Sequence, residues 1–301
     1  MLMGVRVHLV DGTYELFRHF YGMPEDARGT STLGGVRGVV DSLLYMLEEG
    51  ATHIGVATDH VIESFRNDMW ATYKSSAGMD PAIVAQFGPL ETALEALGVK
   101  VWAMTELEAD DALASAAAVA SDDATVEQVL ICTPDKDLAQ CVRGTHVVQL
   151  DRRKRMVVDE AGVIEKFGVP PASIPDYLAL VGDSADGFPG LPGWGAKTAA
   201  AVLAVYGHID AIPDHPGQWE VTVRGAPKLA AVLAEGRAAA SLFLDLATLR
   251  VDRSLLGDVE ELRWHGPTDA FSAVAAEIGN AGLAIRARNL AQRRRRPEPD
   301  F

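Results

Sequence analysis

Nine carboxylates fall into five clusters along the chain: Asp11; Asp59; Glu108, Asp110 and Asp111; Asp135 and Asp137; Asp183 and Asp186. Four clusters follow apolar, strand-like runs: VRVHLV before Asp11, HIGVAT before Asp59, VWAMTEL before Glu108 and VEQVLICTP before Asp135. In a parallel sheet the carboxyl ends of the strands face one crevice, where ligands collect. Acids gathered there repel one another unless cations hold them, and oxygen-only ligands select hard ions, Mg²⁺ or Mn²⁺, over zinc. None of the eight histidines forms a close pair at zinc-binding spacing. Thr133 and Ser184 have no histidine base nearby in sequence, so nucleophilic catalysis has no support.

Each motif has a bland alternative. Acids in a first helical turn are favoured by the helix dipole alone, but the three in ELEADDALA repel one another by more than the dipole returns. Asp135 and Asp137 in TPDKDLA would alone be a common loop or cap. HLVDGT approaches the phosphatase motif Asp-x-Asp-Gly-Thr, yet Leu9 stands where the nucleophile belongs. GLPGWGAKT approaches a P-loop, but Ala196 separates Gly195 from Lys197 and no strand precedes it. It fits a helix-hairpin-helix better: Gly193 and Gly195 flank Trp194, and a helix opening with Lys197 and Thr198 would offer backbone N–H groups to a phosphate. In SFRNDMWATYKSSAG, the residues Arg66, Tyr73 and Lys74 would be solvated on an ordinary helix and Trp70 would be core. Beside a metal-rich crevice the same residues suit a single-stranded phosphodiester.

The elements that must position these residues alternate through the first 168 residues, which predicts an α/β fold with a mostly parallel sheet covered by helices on both faces. Strands are expected at VRVHLV, HIGVATD, VKVWAM and VEQVLICTP, with a hairpin in HVVQLDRRKRMVV whose connection holds a basic run. Helices are expected in GVRGVVDSLLYMLEEG, across PAIVAQFGPLETALEALG as one piece, in ADDALASAAAVAS, and briefly in KDLAQCV. From about Gly168 the pattern turns to helices and loops: one helix from near Lys197 to Gly207, then two stretches broken at Gly236. Residues 251–290 are expected to pack on the core, and 291–301, rich in arginine, to be a disordered tail.

A length of 301 residues accommodates two domains, and no run approaches a membrane span or a signal peptide. Cys132 and Cys141 read as reduced thiols of a cytoplasmic protein. The net charge of −15 argues against a nucleic-acid partner until the acids are located. Between Lys100 and Asp137 nine acids face two bases, whereas Arg152, Arg153, Lys154 and Arg155 form one basic run and Arg286, Arg288 and Arg293 to Arg296 another. Bound divalent ions would make the acidic region attractive to phosphate.

Taken together, VDGTYELFR, SFRNDMWATYK, ELEADDALA, TPDKDLAQ and GVPPASIPDYLALVGDSADGFPGLPGWGAKTA resemble the bacterial 5′ nuclease family, the 5′-to-3′ exonuclease domain of DNA polymerase I and its flap-endonuclease relatives. The resemblance implies a PIN-like core at 1–168 with a helical arch near 64–87, and a helix-three-turn-helix DNA-binding region at 169–250. It implies one metal held mainly by Asp11, Asp59, Glu108 and Asp110, and a second nearer Asp111, Asp135, Asp137, Asp183 and Asp186. Arg18, Arg66 and Lys74 would contact phosphates and Tyr73 would stack on a base. Gly193, Gly195, Lys197 and Thr198 would grip duplex, commonly with K⁺. The implied enzyme is a stand-alone, monomeric, two-metal 5′-to-3′ exonuclease and flap endonuclease acting on DNA with a 5′ flap, nick or 5′ end, in replication and repair. The alternatives are a non-catalytic DNA-binding module on the same fold and an RNA-directed nuclease. Two departures from the family pattern stand out: Ala77 where a basic residue is usual, and Gly187 where Ser-Asp-Asn would end in an amide.

Overall fold

The computed structural model describes residues 4–28 and 33–295. In chain order the elements are β1 (Val5–Asp11), α1 (Gly12–Gly22), α2 (Gly34–Glu48), β2 (His53–Asp59), α3 (Phe65–Met69), α4 (Pro81–Val84), α5 (Phe87–Leu97), β3 (Lys100–Met104), α6 (Ala109–Ser121), β4 (Val126–Cys132), β5 (Val147–Asp151), β6 (Met156–Val158), α7 (Glu160–Phe167), α8 (Ile174–Val181), α9 (Ala196–Tyr206), α10 (Ala226–Ala247), α11 (Phe271–Glu277) and α12 (Gly282–Arg295). They form two compact units: one of Met1–Val61, Ser76–Leu130 and Asp252–Phe301, the other of Ile62–Ser75 and Ile131–Val251.

The first unit is the α/β layer structure that the alternating pattern predicts. Its strands lie in the order β3-β2-β1-β4. β1 runs parallel to β2 with Asp11 beside Ala57, and β2 parallel to β3 with Asp59 beside Met104. All seven residues of β2 are buried, as a strand covered on both faces requires. The alanines of α6 let that helix lie close on β1 and β2, and its apolar residues are almost all buried. The one-piece helix expected over 81–98 is instead two, α4 and α5. Gln86 at the break is buried, its amide donating to the Ala82 carbonyl and accepting from the Val36 N–H, so an inward polar side chain takes over backbone bonds where the helix is interrupted. Helix α1 lies outside the sequence expectation; it buries Leu16 and Phe20. Helix α12 reaches Arg295, into the stretch expected to be a tail, while residues 296–301 lie outside the described residues.

The second unit packs α3 and α7 to α10 around a core that includes Tyr73, Tyr177, Phe188, Trp194 and Phe243. β5 and β6 form the expected antiparallel hairpin, Asp151 facing Met156. Gly236 does not break its helix: α10 runs unbroken through 22 residues. A side chain at Gly236 would meet the Leu191 Cδ2 at 3.2 Å, so the glycine serves close packing, which pattern reading mistook for a stop. Helix α8 also lies outside the expectation, despite six apolar residues in eight. The KDLAQCV helix is a single 3₁₀ segment over Asp137–Cys141. Among the described residues no helix is long and apolar enough to cross a membrane.

Candidate metal centre

Five of the sequence-predicted acids belong to the first unit, at its strand ends. Asp11 closes β1 and caps α1, its Oδ1 accepting the Tyr14 N–H at 2.8 Å. Asp59 closes β2; its own N–H donates to Thr13 Oγ1 at 2.9 Å, and its Oδ1 accepts the Ala109 N–H at 2.8 Å, which holds the start of α6 against the strand end. Glu108 precedes α6, and Asp111 accepts the Glu108 N–H at 3.0 Å in a capping box. Asp11, Asp59, Glu108 and Asp111 are buried and Asp110 is half-buried. Four buried acids at strand ends and the start of α6 are costly unless the charge is compensated. Beside them, Glu91 of α5 accepts from Thr58 Oγ1 at 2.8 Å and lies 2.7 Å from His60 Nδ1, bracketing Asp59 on both sides in sequence. Sequence reasoning missed Glu91, because nothing in LETALEAL marks one glutamate as inward.

The other four acids belong to the second unit. Carboxylate oxygens of Asp137, Asp183 and Asp186 lie within 4.8 Å of one another, and all three residues are buried. Burial, then the neighbouring charges of Asp135, Asp186 and Asp183, push the Asp137 carboxyl well above the usual carboxylate range. Its Oδ1 is buried and accepts no hydrogen bond among the described residues. Asp135, on the surface, receives the Asp137 N–H on Oδ1 at 2.9 Å, and its carbonyl receives the Gln149 amide at 2.6 Å.

Two lysines stand against this group: Lys136 Nζ lies 2.5 Å from Asp183 Oδ2, and Lys74 Nζ 3.7 Å from Asp186 Oδ1. Burial opposes the Lys136 charge, but the Asp183 hydrogen bond and the charges of Asp137, Asp183 and Asp135 outweigh it and raise the ammonium above its ordinary value. Lys136 was missed in the sequence, although its place between Asp135 and Asp137 was the signal. An all-oxygen donor set with one buried oxygen short of a donor, partly neutralised by lysine ammonium groups, fits a hard divalent cation.

The stretch around Lys74 is shaped by the turn that bears Asp183 and Asp186. The turn closes on itself, with the Asp183 N–H donating to the Phe188 carbonyl and the Ala185 N–H to Asp183 Oδ1. Trp70 Nε1 and Thr72 Oγ1 both donate to the Gly187 carbonyl, and the Lys74 N–H donates to the Asp186 carbonyl. Gly187 has φ +83°, and a β-carbon there would lie 2.0 Å from the Thr72 carbonyl oxygen, so only glycine fits.

Arg66, expected at a phosphate, and Tyr73, expected to stack on a base, are both buried. Arg66 is 1% exposed, and its guanidinium donates to the carbonyls of Leu246 and Thr248 at the end of α10, where a cation also meets the negative end of the helix dipole. Tyr73 is 4% exposed and packs in the core of the second unit. Arg18 is half-buried, pairs with Glu15 and lies 2.8 Å from His19 Nε2. Gly193 has φ +84°, Gly195 precedes α9, and Lys197 is exposed in its first turn with Thr198 half-buried; no side chain caps this helix start, and Trp194 is buried beneath it.

Residues 6–168 match the family described as 5′-3′ exonuclease, N-terminal resolvase-like domain, and residues 169–270 the family described as 5′-3′ exonuclease, C-terminal SAM fold. DNA polymerase I of Pseudomonas aeruginosa is 35% identical over 265 residues, covering 84% of this chain; the chain spans 28% of that relative's length. A 5′-3′ exonuclease of Buchnera aphidicola is 32% identical over 207 residues, 68% of each chain. In fold, the chain is similar to a bacteriophage T5 flap endonuclease solved as a pseudo-enzyme-product complex with DNA and metal ions, with a TM-score of 0.63, 17% identity, and 95% of this chain and 98% of that one covered. On its two matched regions and these relatives, the chain belongs to the 5′-3′ exonuclease family.

Proposed function

We propose that this chain is a metal-dependent 5′-to-3′ exonuclease and 5′-flap endonuclease that hydrolyses DNA phosphodiesters to 5′-phosphate and 3′-hydroxyl ends. One observation carries the reading: the buried Asp137, with an oxygen short of a donor, within 4.8 Å of oxygens of Asp183 and Asp186. Similarity to 5′-3′ exonucleases and to a flap endonuclease in complex with DNA and metal ions supports it. Divalent ions, when bound, supply an activated water and stabilise the leaving oxygen.

Asp11, Asp59, Glu108 and Asp110 would hold one ion, and Asp111, Asp135, Asp137, Asp183 and Asp186 a second, with Mg²⁺ or Mn²⁺ preferred by the oxygen donors. Lys74 would offset charge developing on the phosphate, its ammonium already held beside Asp186. Arg66 is a positioning residue in this reading, because its guanidinium is engaged on the α10 carbonyls. Arg18 would contact a phosphate, and Asp111 would act through the start of α6. Residues 169–250 would grip duplex DNA, the α9 start with Gly193, Gly195, Lys197 and Thr198 receiving a backbone phosphate, with K⁺ as a further ligand there. The chain would act as a cytoplasmic monomer in replication and repair.

Asp135→Asn should abolish cleavage of a 5′-flap duplex in Mg²⁺ or Mn²⁺ while DNA binding survives. Chelator should silence the unmodified chain, and retained cleavage in either case would sink the assignment.

A further inference from the structure

The basic run Arg152 to Arg155 is the turn of the β5–β6 hairpin, in a chain whose net charge is −15. Arg153, Lys154 and Arg155 are exposed. Lys154 is paired with Asp151 at 3.5 Å, and no ion pair of Arg153 or Arg155 occurs among the described residues. Met156 and Val157, 45% and 52% exposed, add apolar surface beside them. A solvated turn would explain the exposure.

It would not explain the backbone. Arg155 has φ +53° and is the one non-glycine residue with positive φ among the described residues, against thirteen glycines. At such a hairpin position glycine or asparagine relieves the strain that a β-carbon creates, so a cation is kept here against a local conformational cost. Strain retained at an exposed turn points to a use for the side chain.

The hairpin is also rooted at the acidic group. Gln149 of β5 donates its amide to the Asp135 carbonyl. Four residues from Gln149 to Arg153 span at most about 14 Å, within reach of a strand held at Asp135.

We propose that the β5–β6 turn is a second phosphate-binding surface, in which Arg153 and Arg155 contact the sugar-phosphate backbone of the DNA on which this chain acts. The inference rests on the functional reading above and adds a contact outside the α9 start and the metal-binding acids. Arginine suits the task because its planar fork meets phosphate oxygens in pairs. Such contacts are sequence-independent and release counterions.

The test is equilibrium binding of a 5′-flap DNA duplex across a salt series, with the full chain carrying Asp135→Asn to prevent cleavage. Three forms are compared: the unchanged turn, Arg153→Ser with Arg155→Gly, and Arg153→Lys with Arg155→Lys. The Ser/Gly form should bind more weakly, with a salt slope shallower by about 2 for two lost phosphate contacts. The Lys/Lys form should keep most of the slope. Glycine suits φ +53°, so the Ser/Gly form should melt no lower than its parent. A Ser/Gly form with the parent's slope overturns the proposal, whatever its affinity. Failure of the parent to bind the duplex at all overturns the functional reading together with it.

Discussion

Gly187 shows how one position can be misread as a loss. By comparison with the family pattern it lacks an amide beside a metal-binding acid. In the fold, its φ of +83° and the Thr72 carbonyl 2.0 Å from any added β-carbon leave no room for one. Its carbonyl meanwhile accepts from Trp70 and Thr72. Gly187→Asn should therefore destabilise, by on the order of 1–3 kcal/mol from backbone strain alone, and lower flap cleavage. Gly187→Ala should behave alike, since the clash begins at the β-carbon. Thermal melting and flap cleavage check this; an Asn variant that melts unchanged and cuts faster would show that the missing amide, not the space, limits the site.

At the scale of elements, α3 and α10 are joined by one buried guanidinium. Arg66 donates to the carbonyls of Leu246 and Thr248, which have no further helical partner beyond the end of α10. The Arg66 guanidinium lies 4.6 Å from the Phe65 ring and Trp70 packs edge-on against Phe243, so the stretch bearing Lys74 leans on that helix. Arg66→Ala should cost roughly 2–3 kcal/mol, the usual loss when a charged donor is removed and buried carbonyls are left unpaired. The readout is stability against denaturant together with kcat. A large fall in kcat with unchanged stability would return Arg66 to a direct role at the phosphate.

At the scale of the whole molecule, stability should depend on pH through His53. This residue opens β2 and bridges to Arg263, so it ties the C-terminal segment to the sheet of the first unit. Burial lowers its pKa below 6.5, and the Arg263 and His265 charges act the same way against the opposing pull of Glu260. The folded chain thus holds His53 neutral where the unfolded chain would protonate it. Its contribution is complete above about pH 6.5 and is lost as pH falls from there through the lowered native value. The drop in melting temperature between pH 7.5 and 5.5 should shrink in His53→Gln; an equal drop in both forms would exclude His53 as a source of the dependence.

The sequence by itself determined the five long strands, the alanine-rich helix after Glu108 and the acids, because strand periodicity and charge clustering are local signals. It also carried the family, through motifs that keep their order along the chain. Only the tertiary structure decided which side chains face which groups. Arg66 and Tyr73 read as ligands of a phosphate and a base, yet they are buried, since burial depends on packing partners more than a hundred residues away. Gly236 read as a break and proved a contact surface for Leu191. Lys136 was in plain view between two acids, but its pairing with Asp183 depends on a turn 47 residues distant, and no local pattern encodes that approach.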